Sequence, residues 1–194
     1  MRMNQARSKT LLFASVVATL TIAGCSSNGG FGPGMMGSDT FYHSSRVNCT
    51  PPPNLPGRAI NVALGDMGMT QMMGGTAPLG GQMRLLAVPA SVTGGQVSVV
   101  ATNMGWRTHE VVILPLADGQ SAGQRVPGSN GKVDETGSLG EASKSCAAGA
   151  GEGVTSGSVT WVTVTLNPGR YEFVCNLKNH YANGMHQEVV VTSS

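Results

Sequence analysis

The chain has 194 residues, with 28 Gly, 10 Pro and 11 Met but only 11% charged and 5% aromatic residues. A formal net charge of +2, without a basic stripe, excludes a nucleic-acid-binding surface. The length suffices for one core of ordinary domain size, and short β-like segments punctuated by Gly and Pro point to an all-β fold.

The N-terminus reads as a secretory signal. Arg2, Arg7 and Lys9 form a basic head, and the apolar run Thr10 to Ala23 is too short to span a bilayer on its own. The run ends Leu20-Thr-Ile-Ala-Gly-Cys25, which resembles the bacterial lipobox. That resemblance implies cleavage before Cys25 and lipid attachment to its sulfur and new amino group. Several acyl chains anchor stably where one does not, and Ser26-Ser-Asn-Gly-Gly30 supplies a flexible tether. The alternative is an ordinary signal peptide cleaved nearby. Loss of residues 1–24 removes three basic groups, leaving 9 Lys+Arg against 10 Asp+Glu and a mature net charge of −1.

A stiff extended stretch, Cys49-Thr-Pro-Pro-Pro-Asn-Leu-Pro56, separates the tether and extension (25–56) from a single domain over 57–194. Candidate strands follow at Arg58 to Leu64, Met83 to Val88, Gln96 to Thr102, Thr108 to Leu116, Val159 to Leu166, Arg170 to Asn176 and His186 to Thr192. Met67, Met69, Met72, Met73 and Met83 cluster around Asp66 to Arg84. Their thioethers suit Cu(I), but an apolar lid or docking surface explains them as well. The Gly/Ser/Ala-rich segment Ala117 to Gly157 is long for a structureless loop and is expected to wrap the domain, with a short strand around Gly131 to Glu135. Asn167-Pro-Gly-Arg170 fits a type II turn, with Gly169 at the position that needs positive φ.

The chemistry concentrates near the C-terminus. Cys175, His180 and Met185 stand with four residues in each gap. A thiolate, an imidazole and a thioether on one short loop are three of the four ligands of a mononuclear blue-copper site. Alternation along the preceding strand puts Tyr171, Phe173 and Cys175 on one face, so Cys175 points into the core. The fourth ligand should be a second histidine: His43, His109 or His186. His109 is the best placed, because it follows the turn signal Asn103-Met-Gly105 and shares a strand face with Val111 and Ile113. His43 lies in a Ser/Gly-rich stretch, and His186 adjoins Met185 too closely to take an independent corner. Taken singly, each of these residues reads as inert core or surface; the ordered set does not.

Cys49 and Cys146 remain. In an oxidising extracytoplasmic compartment they read as a disulfide pinning the N-terminal segment to the long loop, the alternative being two unpaired thiols.

From Arg58 to Thr192 the chain resembles the cupredoxins, most closely the rusticyanin/sulfocyanin-like members. The matching motifs are Asn103-Met-Gly-Trp-Arg-Thr-His109-Glu-Val-Val-Ile-Leu114 and Tyr171-Glu-Phe-Val-Cys175 through Gly184-Met185. The resemblance implies a Greek-key β-sandwich, one type 1 copper held by His109, Cys175, His180 and a weaker axial Met185, and one-electron transfer. Many family members carry Asn or Ser after the first histidine, where the side chain braces the cysteine loop; here the residue is Glu110. His180, in the loop, is the expected electron exit.

Three functions compete: a membrane-tethered electron carrier serving redox partners of a membrane electron-transport chain, a copper storage or delivery protein using the methionine segment, and a copper enzyme. The last fails on counting, since oxidases and nitrite reductases need further histidine-rich centres and the chain has four histidines in all.

Overall fold

The computed structural model describes residues 48–66 and 82–193. The leader, Cys25, His43 and Met67, Met69, Met72 and Met73 lie outside the described residues.

Among the described residues nine strands form: β1 (Arg58–Asp66), β2 (Met83–Val88), β3 (Ser91–Thr93), β4 (Gly95–Asn103), β5 (Val111–Pro115), β6 (Gly140–Ala142), β7 (Val159–Leu166), β8 (Gly169–Val174) and β9 (His186–Thr192). They make two mixed sheets, ordered β2-β1-β4-β7 and β3-β9-β8-β5-β6. Within them β1 and β4 run parallel, as do β3 and β9.

Alternation explains the sandwich. Ile60, Val62 and Leu64 of β1 and Val97, Val99 and Ala101 of β4 turn inward from the first sheet. Val111 and Ile113 of β5, Phe173 of β8 and Val189 and Val191 of β9 meet them from the second, and all are buried. Ser98, between Val97 and Val99, faces the other side of the sheet and is buried there at no unmet polar cost, since its hydroxyl bonds Pro56 O (2.6 Å) and Thr163 Oγ1 (2.7 Å).

The second sheet is covered on its outer side too. Val112, Leu114, Val174, Val133 and Tyr181 form a separate buried cluster there. This is why β5 reads as a continuous apolar run rather than an alternating one. Part of the cover comes from the long segment after β5. It is ordered by local turns, by Arg125 Nε on Glu172 Oε2 (2.7 Å) and by Gly123 N–H on Glu172 Oε1 (2.6 Å).

Three expectations change in detail. The short strand expected around Gly131 to Glu135 is absent; Gly131 takes φ +75° in a turn, and Val133 donates its N–H to the Asn176 side chain. The short strand of this segment is β6 instead, pairing with β5. The strand expected over Thr108 to Leu116 starts only at Val111, with His109 upstream on an isolated bridge to Val154. Gly169 does not take positive φ, because it already pairs with Val191 in the β8–β9 ladder; the corner is tied by Tyr171 O–H on Asn167 O (2.7 Å).

Cys49 and Cys146 are joined, with Cα atoms 5.6 Å apart and a sequence separation of 97. In the chain-entropy view, closing so long a loop removes much of the unfolded ensemble's freedom, and losing a native disulfide of this kind costs about 2–5 kcal/mol. Reduction is therefore expected to lower the unfolding free energy by that amount, read as a lower urea midpoint. Equal midpoints with and without reductant would remove the stabilising role, and free thiols in the non-reduced protein would remove the bond itself.

Candidate metal centre

The site is built by two backbone segments at one end of the sandwich. The first joins β4 to β5. Asn103, the last residue of β4, is buried, and its side chain ties the connection together. Its Oδ1 accepts from Gly105 N–H (2.9 Å), while its Nδ2 donates to Arg107 O (2.6 Å) and Val154 O (2.7 Å). His109 exchanges both backbone hydrogen bonds with Val154. Its position is therefore fixed before its side chain is considered.

The second segment is the ligand loop that follows β8. Cys175 stands one residue beyond the strand's end and donates its N–H to Met185 O (3.0 Å), which closes the loop on itself. Inside, His180 N–H reaches Leu177 O (2.9 Å) and Met185 N–H reaches His180 O (3.2 Å). A 3-10 turn at Tyr181–Asn183 ends at Gly184, whose φ of +98° turns the chain into Met185 and β9. A side chain at Gly184 would be strained by that φ and would crowd Met83 O.

These two segments bring the expected donors together. One donor atom each from His109, Cys175 and His180 lies within 4.8 Å of the others, and all three residues are buried. His180 Nδ1 is 3.3 Å from Cys175 Sγ and 3.1 Å from His109 Nδ1, and His109 Nδ1 is 4.0 Å from Sγ. Met185 is fully buried at the end of the same loop. Among the described residues this is the one such histidine–cysteine group. His186 stays out of it, its ring 4.9 Å from that of Tyr181.

Two imidazoles, one thiol and one thioether fit one type 1 copper. The electrostatics agree. Burial pushes the Cys175 thiol above its ordinary range, with the Glu110 carboxylate adding to it. Burial pulls the His180 imidazole down to about 3, with the neighbouring His109 and Arg107 adding to it. Without a cation the site thus holds a neutral thiol and a neutral imidazole; a bound metal is what would make the thiolate favourable. Glu110 N–H points at Sγ (3.3 Å), a donor suited to a thiolate acceptor.

Glu110 fills the bracing role that the resemblance assigns to a smaller polar residue. Its Oε1 accepts Asn176 N–H (3.1 Å), tying β5's entry to the cysteine loop. Burial, with Glu141 adding and Lys132 opposing, pushes its carboxyl up to about 7. Asn176 extends the brace, donating to Val133 O (2.9 Å) and Glu135 Oε1 (2.5 Å).

Sequence reasoning missed Asp66. Its Oδ2 lies 3.0 Å from His109 Nε2 and accepts Arg107 N–H (2.8 Å), and its Oδ1 accepts Trp106 N–H (3.2 Å). Burial, the largest influence on this carboxyl, works to raise its pKa, yet these donors together hold it below the usual range. The signal was in the strand pattern: Asp66 continues the inward series Ile60, Val62, Leu64.

The expected electron exit, His180, is 5% exposed against 0% for His109, so it is the outer of the two rings although both are buried.

No family model matches the chain, and no curated protein matches it. Among solved structures the chain is similar to reduced rusticyanin, at 16% identity over 71% of this chain and 81% of that one, with a TM-score of 0.41. It is similar to dithionite-reduced auracyanin from Roseiflexus castenholzii, at 18% identity over 70% and 97%, with a TM-score of 0.41. It is also similar to auracyanin B, at 17% identity over 78% and 98%, with a TM-score of 0.43.

Proposed function

We propose that the protein is a blue-copper electron carrier in which His109, Cys175, His180 and Met185 hold one copper. The observation that carries this reading is the convergence of Cys175 Sγ with the two histidine Nδ1 atoms in a buried site. Copper, when bound, supplies a one-electron Cu(I)/Cu(II) couple.

The protein's contribution is rigidity and dryness. The backbone bonds of His109 to Val154 and of Cys175 to Met185 preset the donors, so a change of charge at the site calls for little movement of the chain. A Cys/His/His set with a weak thioether is a compromise between the preferences of the two oxidation states. The apolar core cluster in which Cys175 and Met185 lie disfavours added positive charge and so raises the potential. A copper oxidase or nitrite reductase needs further histidine-rich centres, and the chain has four histidines in all.

The leader and Cys25 support export and a lipid anchor at an extracytoplasmic membrane face, where partners would be redox proteins of an electron-transport chain. The Cys49–Cys146 bond agrees with an oxidising compartment. The methionines before β2 favour a second reading, copper storage or delivery, because thioethers are soft donors suited to Cu(I).

Three measurements test this. The copper-loaded soluble domain is expected to hold one copper and to show an intense thiolate-to-copper band and a type 1 EPR signal, both lost in Cys175→Ser. Blue colour surviving that change would sink the assignment, and a second tightly held Cu(I) would favour the storage reading. Met185→Leu is expected to keep the colour and raise the potential, since a lost weak donor destabilises Cu(II) more than Cu(I); a fall would show that Met185 is no weak axial donor. Cys25→Ala is expected to move the protein from the membrane to the soluble fraction, and unchanged membrane association would refute the anchor.

A further inference from the structure

We propose that Asp66 is a positioning residue of the metal site: its carboxylate holds the His109 ring by Nε2, aims Nδ1 at Cys175 and His180, and by its negative charge favours the more oxidised state of the bound copper. The proposal rests on the reading of His109 as a copper ligand.

The placement begins in the sequence. β1 turns Ile60, Val62 and Leu64 into the core, and the same alternation carries Asp66 inward at the strand's last position. A carboxylate facing an apolar wall is costly unless its oxygens are bonded. Here the partners are specific. Trp106 N–H and Arg107 N–H fill Oδ1 and Oδ2 from the β4–β5 connection, and His109 Nε2 stands 3.0 Å from Oδ2. Gly105 completes the fit, because a Cβ there would lie 3.0 Å from Oδ2 and 2.9 Å from Asp66 N. The carboxylate side chain is 3% exposed, so solvent barely screens it.

An ionised carboxylate can only accept. The proton of the His109 ring is therefore drawn to Nε2, and the Nδ1 lone pair is left on the side facing His180 Nδ1 (3.1 Å) and Cys175 Sγ (4.0 Å). A ring held in this way is oriented by a group that never touches the metal. A carboxylate on the far nitrogen also makes the imidazole a stronger donor. Its charge acts across one imidazole ring in a dry site, so it stabilises the dipositive metal more than the monopositive one.

Asp66→Asn separates charge from shape. The amide oxygen can still accept from Nε2–H, so the blue band is expected to persist while Cu(II) affinity falls at least about tenfold relative to Cu(I) affinity, a rise in midpoint potential of about 59 mV. A brace that served folding alone would weaken both oxidation states equally and leave the potential unchanged, and that result would overturn the electrostatic role. The positioning role is read without metal, from the 15N shifts of the His109 ring in the metal-free chain. The Nε2–H tautomer is expected in the native protein, and its loss in Asp66→Ala. A native ring protonated at Nδ1 alone, or an unchanged preference in Asp66→Ala, would overturn it. A native chain that never turns blue would remove the copper reading and the redox role together, while the ring shifts would still decide the positioning.

Discussion

The structure depends on keeping water away from donors that do not compensate one another. Two imidazoles, a thiol and a thioether share a buried corner, and none brings the positive charge that a thiolate there requires. Burial alone favours the neutral thiol. A cation reverses that preference, so the fold holds the donors apart from solvent and leaves the charge balance to the metal. The ring of ordinary hydrogen bonds around the corner follows from this. A donor set that stays neutral until it is loaded must be kept from collapsing into other contacts.

That task is divided between two segments that are each closed on themselves. The β4–β5 connection is knotted by Asn103 and by the His109–Val154 bridge. The ligand loop is closed by the Cys175–Met185 backbone bond and turned by Gly184. Glu110 joins the two, with its N–H on Cys175 Sγ and its carboxyl on Asn176 N–H. The price of this junction is a carboxyl buried beside other acids, whose proton is held up to about 7. For that single group, protonation is retained further on folding than in the unfolded chain. Its contribution to stability is therefore present below about 4.5 and lost as pH rises through about 7.

What could be read from the sequence was what is local. Cys175, His180 and Met185 lie on one loop, and strands rich in β-branched residues such as Val159–Leu166 and His186–Thr192 begin and end as expected. His109 was found because its neighbours are apolar, although the strand proper starts two residues later. The misses are of another kind. Asp66 and His109 are 43 residues apart, and nothing in either neighbourhood announces the other. Gly-Glu-Ala at 140–142 lacks strand propensity and is a strand only because β5 offers an edge. Gly169 was read from its turn dipeptide, whereas the ladder to Val191 decided its backbone.

The buried carboxylate of Glu172 has a consequence for how the molecule tolerates change. It sits on the outer face of the second sheet, where Gly123 N–H, Arg125 Nε and Tyr181 O–H all converge on it. The Tyr181 hydroxyl oxygen also accepts the Arg125 backbone N–H, and Tyr181 is the residue after His180. A glycine-rich stretch that looks like disposable surface is thereby harnessed to the histidine that closes the metal corner. Shortening that stretch would strip a buried carboxyl of its Gly123 and Arg125 partners and remove the Arg125 bond to Tyr181, beside the His180 ring. Grafting this metal loop onto another sandwich would therefore carry over its ligands without the outer strap that is hydrogen-bonded to Tyr181 beside them.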